Sequence, residues 1–478
     1  MSLTSKSFWS CCTAVLLGAC IGSSASAQGV ATPAPAMTDL LTICNDALQF
    51  NPAYESARAS YYAAMELVPQ ARGKLLPQLG LLGEYDWQRQ HQNGTYHGDF
   101  EVNNQTFDTR FIVKGSDTFT RTLYGAQLTQ ALYRPQLFLG LSAAKLQAEQ
   151  AALALSAAQD DLLLDVAEKY FAVLAARDAA VFAHAETTAL REQLDHAKSR
   201  SDAGLATLAD VKAAEASYAI ASVDETDARN TLQAAQLALE ALTGRSYSAL
   251  KVLPSGIGLS APQPMDENAW VARAQSDNPA ILAQKAAIEI ARVNRRASQR
   301  ARYPQVDLVG TASAIDNRGG VSGEIDGDDE SIGVRVTMPI YSGGQVSSAI
   351  RRSEEMEKKA EADARATQAA IIRNTRLAFL NTSTGLQRIA ALKRAVEAAS
   401  DAEQAARSGF DAGTRSNTDV LTAVEKRYAA ERDYAAARYR LLINSLRLKQ
   451  LSGNLLTADL AEINRLLQAP QVARADTP

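Results

Sequence analysis

The strongest constraint on this chain is a turn that occurs twice. Arg200–Val211 reads RSDAGLATLADV and Ser408–Val420 reads SGFDAGTRSNTDV. Asp202 and Asp411, Gly204 and Gly413, and Asp210 and Asp419 are each 209 residues apart, so one offset aligns both copies. A glycine after a helix supplies the left-handed residue that ends it. A hydroxyl residue three before an acid starts the next helix: Thr207 with Asp210, Ser416 with Asp419. Long Ala-rich sequence of helical character flanks both copies. Each copy is therefore the turn of a long helical hairpin.

The first hairpin sets the scale. Arg134-Pro135 opens a helix with proline in its permitted first turn, and no Gly or Pro follows between Leu141 and Gly204. At about 1.5 Å per residue this helix approaches ~100 Å. That is too long for a globular core, so it must lie against other helices or line a tube. The 478 residues are 46% apolar but only 6% aromatic, as expected for long helices packed through small side chains. A formal net charge of -4 gives no reason to expect nucleic acid as a partner.

The N-terminus reads as a secretory signal over residues 1–27. Lys6 is its positive region, Cys11–Ile21 its apolar run, and Ala25-Ser26-Ala27 a small-residue cleavage site. Leu17-Gly18-Ala19-Cys20 is a rival, because it resembles a lipoprotein box with Cys20 acylated. Cleavage after Ala27 leaves Cys44 alone, with no intramolecular disulfide. Cys44 reads as a small buried apolar residue of an amphipathic helix.

Beyond Gln28 the chain reads as one order of elements used twice. A helix runs from Thr38-Asp39 to about Arg72, disturbed at Asn51-Pro52. Leu79, Leu81, Gly83, Tyr85 and Trp87 then alternate with mostly polar residues as a half-buried strand. Gln88–Asp117 reads as a long polar loop, and a second strand covers about Phe119–Tyr133. After the first hairpin, helix resumes to about Leu242 and stops at Gly244. Residues 251–265, with Pro254, Gly256, Gly258, Pro262 and Pro264, form a linker. In the second half, Asn278-Pro279 and Pro304-Gln305 match Asn51-Pro52 and Pro77-Gln78 at an offset of 227. Val306–Ala314 reproduces the first strand, and Asn317–Glu330 is a shorter Gly/Asp loop. Ile332, Val334, Val336, Met338 and Ile340 make the clearest strand. Leu451-Ser452-Gly453 matches Leu242-Thr243-Gly244. The offset falls to 208 at Tyr133 and Tyr341, so the first strand–strand loop is about 19 residues longer. The halves are residues 28–250 and 266–468, with a tail at 469–478.

Four strands per chain cannot readily close a barrel wide enough for a channel, and an open apolar-faced sheet leaves aggregating edges. Three chains pooling their strands give about twelve, within the outer-membrane range. Tyr85, Trp87, Tyr124, Tyr133, Tyr303 and Tyr341, near strand ends, suit membrane interfaces.

The sequence resembles the TolC family of outer-membrane channels over nearly the whole mature chain. The matching residues are the Asn-Pro and Pro-Gln pairs, Ile340-Tyr341-Ser342-Gly343-Gly344 at a strand–helix junction, the two Asp-Ala-Gly turns with their Asp-Val, and the Leu-(Thr/Ser)-Gly closing each half. Each motif is weak alone, and the duplicated order is specific. The resemblance implies a mixed, mainly α fold with transmembrane β structure: a homotrimer whose β-barrel in outer-membrane lipid continues into a periplasmic α-barrel. It also implies a periplasmic adaptor and an inner-membrane RND or ABC transporter as partners, in drug efflux or type I protein secretion.

Gly204-Leu205 and Gly413-Thr414 occupy the hairpin tips. Helix termination accounts for the glycines, and the resemblance adds adaptor docking. Asp210 and Asp419 can simply cap helix N-termini, where a carboxylate gains about 0.3–1 kcal/mol. The resemblance implies more. Asp419 matches an aspartate ring at the periplasmic aperture, and Asp210 and Arg415 match partners that hold the aperture shut. A ring of like charges about a threefold axis selects cations. Two positions depart from the pattern: Phe410 stands in place of a tyrosine, and Thr422 in place of a second acid. Both imply a closed state held less tightly.

Asp326, Asp328, Asp329 and Glu330 loosely resemble a calcium loop, but the spacing fails the EF-hand pattern and reads as a solvated external loop. His91, His97, His184 and His196 form no metal motif, and no nucleophile elbow or phosphate loop is present. No cofactor is expected and no catalysis; energy for transport must come from a partner. The reading is a passive exit duct. A periplasmic adaptor or structural coiled-coil protein is the alternative, but it lacks two duplicated strand pairs joined to helices.

Overall fold

The computed structural model describes residues 37–468 apart from 104, 255–259, 320–323 and 454. The signal region with its Cys20 alternative, the remaining residues before Met37, Gly256, Gly258, Gly323 and the 469–478 tail lie outside the described residues.

Helices α1 (Leu40–Phe50), α2 (Pro52–Met65) and α3 (Leu67–Gly73) lead to strands β1 (Gln78–Val102) and β2 (Gln105–Tyr133). The first hairpin follows as α4 (Pro135–Asp202) and α5 (Leu208–Thr243). The second half runs α6 (Glu267–Asp277), α7 (Pro279–Arg300), β3 (Gln305–Gly319), β4 (Ile325–Thr337), α8 (Gln345–Asp411) and α9 (Asn417–Leu451), ending in α10 (Thr457–Leu466). α4 and α8 have 68 and 67 residues, so each is about 100 Å long.

The sequence places loops where the structure has strand. β1 and β2 form one antiparallel hairpin that extends through Gln88–Asp117, turning at Asn103 with φ 52°. Most of Asn317–Glu330 likewise belongs to β3 and β4, which puts Asp326–Glu330 in a strand and His91 and His97 on β1. Polar residues hid these strands because only one stretch of each strand carries an apolar face. At the other end, β4 stops at Thr337, before Met338 and Ile340.

The sheet order is β1-β2-β3-β4, antiparallel throughout. Residues directly opposite share a face. The register Leu81↔Ala126↔Ala312 and Leu128↔Gly310↔Ile332 therefore collects Leu79, Leu81, Tyr85, Trp87, Leu128, Tyr124, Leu308, Ile332, Val334 and Val336 on one side. The other side holds Glu84, Asp86, Gln127, Arg121, Thr311, Ser331 and Arg335. The alternation does not mark a half-buried strand as expected, because Leu81 is 87% exposed in the single chain. From Leu79 to Trp87 the apolar face runs about 26 Å along the strand, the scale of an outer-membrane band. Exposed Tyr85, Trp87 and Tyr124 lie towards one end of this band, and exposed Tyr133, Tyr303 and Tyr341 at the other. No described helix is long and apolar enough to cross a membrane.

The helices form a layer. Near the sheet α4 packs between α2–α3 and α7, and α7 packs on α8; further away α4 packs between α5 and α9, and α9 on α8. Where the stacks meet, α1, α10, α4 and α9 enclose the main core: Leu40, Ile43, Cys44, Val166, Phe171, Leu174, Leu446 and Leu460. Burial pushes the Cys44 thiol up to about 12. The Tyr170 hydroxyl donates to the Lys251 carbonyl (2.6 Å), which ties the start of the linker to α4.

The duplicated motifs meet each other. Asn51 caps α2, accepting from the Tyr54 amide (3.0 Å), and its Nδ2 donates to the Leu242 carbonyl (3.2 Å). Asn278 caps α7 through the Ala280 amide (3.0 Å) and donates to the Leu451 carbonyl (2.9 Å). The asparagine of each Asn-Pro pair thus holds the end of the helix that its own half's Leu-x-Gly terminates. At the strand–helix junction Arg134 forks onto Asp307, with Nε–Oδ1 2.6 Å and Nη2–Oδ2 2.5 Å.

Candidate functional site: the two hairpin tips

Both tips are built the same way. α4 ends at Gly204 with φ 72°, and the Leu205 amide donates to the Arg200 carbonyl (2.7 Å). α8 ends at Gly413 with φ 74°, and the Thr414 amide donates to the Gly409 carbonyl (2.8 Å). Each is a left-handed cap with the bond pattern of a Schellman motif. The next helix opens with a capping box. The Thr207 hydroxyl donates to Asp210 Oδ2 (2.7 Å) and accepts from the Asp210 amide (3.2 Å); Ser416 and Asp419 repeat this at 2.8 and 3.2 Å.

These bonds fix the charge state of both acids. Hydrogen bonds from the Thr207 side chain and backbone hold Asp210 below its ordinary value. Asp419 is lowered by the Ser416 backbone, then its side chain, with help from the Arg415 charge. Both are anionic at neutral pH.

Gly204, Leu205, Gly413, Thr414, Arg415, Asp419 and Thr422 are exposed, and Asp210 and Phe410 are half-buried. Thr422 follows Asp419 by one turn of α9. Among the described residues no ion pair joins Asp210 to Arg415, because the Asp210 carboxylate is occupied by its own cap. The stem of Arg415 instead covers Gly409, where an added Cβ would come within 2.7 Å of Arg415 Cγ.

Other side chains join the tips. The Arg200 guanidinium lies 4.8 Å from the Phe410 ring centroid, a cation–π contact from α4 to α8. Gln193 on α4 donates to Asn417 Oδ1 (2.6 Å), and Asn417 Nδ2 donates to the Asp210 carbonyl (3.3 Å). Gln193 and Asn417 are only 6% and 3% exposed, so this bridge lies inside the apolar cluster of Leu190, Leu194, Val420 and Val424. The asymmetry between copies was a usable signal: the offset of 209 sets Asn417 on Leu208, which is 70% exposed. Arg200 and Gln193 carried no comparable mark.

Further along the hairpins, buried Glu403 on α8 receives Arg407 Nη2 (2.7 Å) and, from α9, Arg427 Nη1 (2.8 Å). In the first hairpin Glu225 on α5 meets His184 Nδ1 (2.9 Å) and Arg229.

The arrangement is a long double hairpin with charged tips, joined to a sheet with one apolar exposed face. Known proteins share it. The family model described as outer membrane efflux protein matches residues 43–245 and 270–454. The chain is 30% identical to the outer membrane protein TolC of Vibrio cholerae over 443 residues, covering 92% of this chain and 96% of that one. It is 25% identical to the alkaline protease secretion protein AprF of Pseudomonas aeruginosa, covering 87% and 84%. Among solved structures, the outer membrane protein VceC of Vibrio cholerae superimposes with a TM-score of 0.70 at 19% identity, covering 87% of this chain and 97% of that chain. The family is one of channels rather than of enzymes. The chain belongs to the outer membrane efflux protein family, as an outer-membrane channel of the efflux and type I secretion class.

Proposed function

We propose that three copies close into one passive exit duct, a β-barrel of about twelve strands continuous with a helical tube. The observation that carries this is the pair of open flanks on each copy. β1 and β4 are free sheet edges, and α5 and α8 border the helical layer. Unlike flanks that join head to tail generate a ring. The mature chain starts at Gln28, and two half-repeats, 28–250 and 266–468, flank the 251–265 linker.

At the tips, Gly204, Leu205, Gly413 and Thr414 receive a periplasmic adaptor, coupled to an inner-membrane RND or ABC transporter. Leu205, 69% exposed, is the apolar contact offered there. Asp419 forms a single anionic ring at the aperture, since Thr422 carries no charge. The Ser416 cap bonds, with help from the Arg415 charge, keep Asp419 ionised, and Phe410 under Arg200 ties the hairpins together.

Single-channel conductance in a planar bilayer, with and without a trivalent cation, tests this. A small cation-selective conductance blocked from the periplasmic side only is expected, with block lost in Asp419→Ala. A silent bilayer and a water-soluble monomer would overturn the duct.

A further inference from the structure

We propose that the mouth of the barrel on its helical side carries a cationic collar that binds the headgroups of anionic phospholipids. Four segments connect helices to strands at this mouth: residues 67–77, 134–148, 290–304 and 338–353. Together they hold eleven lysines and arginines and no aspartate or glutamate. Random mixing of a chain with 49 cations and 53 carboxylates would not leave such a zone.

Some of the cations further from the sheet are matched: Arg292 and Arg295 with Glu357 and, just beyond the segments, Lys358 with Glu355 and Lys359 with Asp363, while Arg296 and Lys145 make no ion pair among the described residues. Next to the sheet Arg134 is taken by Asp307. Arg72, Lys74, Arg300, Arg302, Arg351 and Arg352 are exposed and make no ion pair among the described residues. Arg72 and Lys74 precede β1 by only a few residues, and Arg300 and Arg302 precede β3 likewise. Arg351 and Arg352 lie within the first two turns of α8, about 10 Å from its start.

The same level carries the exposed rings of Tyr133, Tyr303 and Tyr341, which suit a headgroup zone. Arg300 lies 4.6 Å from the Tyr303 ring centroid. Stacking leaves the edge of its guanidinium able to fork onto a phosphodiester. Within the sheet the sign reverses along β4, where Asp326, Asp328, Asp329 and Glu330 pair with Asp316, Ala314, Ser313 and Ala312 of β3. Juxtamembrane clusters of cations attract anionic lipid through charges that act together and are screened by salt.

The test is competition between a fluorescent phosphatidylglycerol and phosphatidylcholine for the full-length, detergent-solubilised protein in mixed micelles, at low and high salt. Preference for phosphatidylglycerol of about tenfold is expected at low salt, shrinking as salt rises. Arg300→Gln/Arg302→Gln and, separately, Arg351→Gln/Arg352→Gln should each reduce it severalfold. Lys358→Gln/Lys359→Gln, from the matched tier, should leave it unchanged. If one pair fails to assemble, the other pair and the wild-type salt response still decide. Equal affinity for both lipids, or equal loss in the matched-tier variant, would overturn the proposal. Displacement by inorganic phosphate as effective as by lipid would assign the cations to free anions instead. Altered ion selectivity of the channel with unchanged lipid preference would assign them to the lumen.

Discussion

α4 and α8 have nearly the same length and the same place in their halves, yet α4 buries twenty residues and α8 six. The difference is one of position. α4 lies mid-layer, with α2, α3 and α5 on one side and α7 and α9 on the other, so two stripes of its surface are covered. α8 borders the layer and touches only one side of it. Its buried set includes Thr375, Thr382 and Glu403 beside Ile350, Ala378 and Ala406. α4 is thus held by apolar burial, whereas α8 is held at Glu403 by charge and, in the proposed trimer, meets a neighbouring copy on its other side.

The comparison is broken most completely at the opposite border. α5 leaves Ile220 and Val223 exposed one turn apart. Ile220→Asp/Val223→Asp should abolish the trimer while far-ultraviolet circular dichroism stays unchanged. An intact trimer in analytical ultracentrifugation would remove α5 from the subunit contact.

Next in size is the core of α4. Phe171 is fully buried and stacks on Tyr439, with centroids 6.0 Å apart. Phe171→Ala should cost about 3–5 kcal/mol, read from the denaturant midpoint of the solubilised protein. A cost below about 1 kcal/mol would show that the midlayer helix does not depend on its apolar contacts.

Acid should act on the two helices in opposite directions. Burial raises the Glu403 carboxyl, but hydrogen bonds from Arg427 and Arg407 outweigh it and leave the value lowered. Its contribution is therefore present above the unfolded value of 4.5 and is lost as pH falls through the lower folded value. Asp160 on α4 is raised to about 6, by burial first and then by the Asp161 charge. Its ionisation opposes folding, so that penalty grows as pH rises from 3.8 to about 6. Stability measured from pH 3 to 7 should lose the acid-side fall in Glu403→Gln and the rise-linked penalty in Asp160→Asn. Unchanged profiles in both would refute the assignment.

The smallest expected effect is at the tips. Asn417→Ala leaves Gln193 buried without its partner, a cost of about 1–3 kcal/mol. It should raise basal conductance, whereas Leu208→Ala, at the equivalent exposed position of the first tip, should not. Equal conductance in both variants would mean that the bridge does not hold the tips together.

Much of this was legible in the sequence, because local rules act over short spans. Gly204 and Gly413 had to be left-handed caps, and Thr207 with Asp210 and Ser416 with Asp419 had to start helices, whatever lay around them. The apolar alternation of Leu79–Trp87 and Ile332–Val336 identified strands. It did not identify Gln88–Val102 or Gln105–Thr118, where cross-strand pairing holds polar residues in a ladder without an apolar face to mark it. α10 was also missed as a separate element. Of the tip residues, Asp210 and Asp419 were visible through the repeated turn, whereas Arg415, Phe410 and Thr422 were singled out only by the family resemblance. The contacts within one chain, Gln193–Asn417 and Arg200–Phe410, were not visible.

The sequence alone determined the duplicated order, the helix ends, the lengths of α4 and α8 and the apolar band, because caps, turns and periodicity depend on residues a few positions apart. Only the tertiary structure decided which helix lies midlayer, which asparagine holds which helix end, and which cations lack a carboxylate. Those depend on groups that the chain separates by tens to hundreds of residues and that only the packed layer brings within hydrogen-bonding distance.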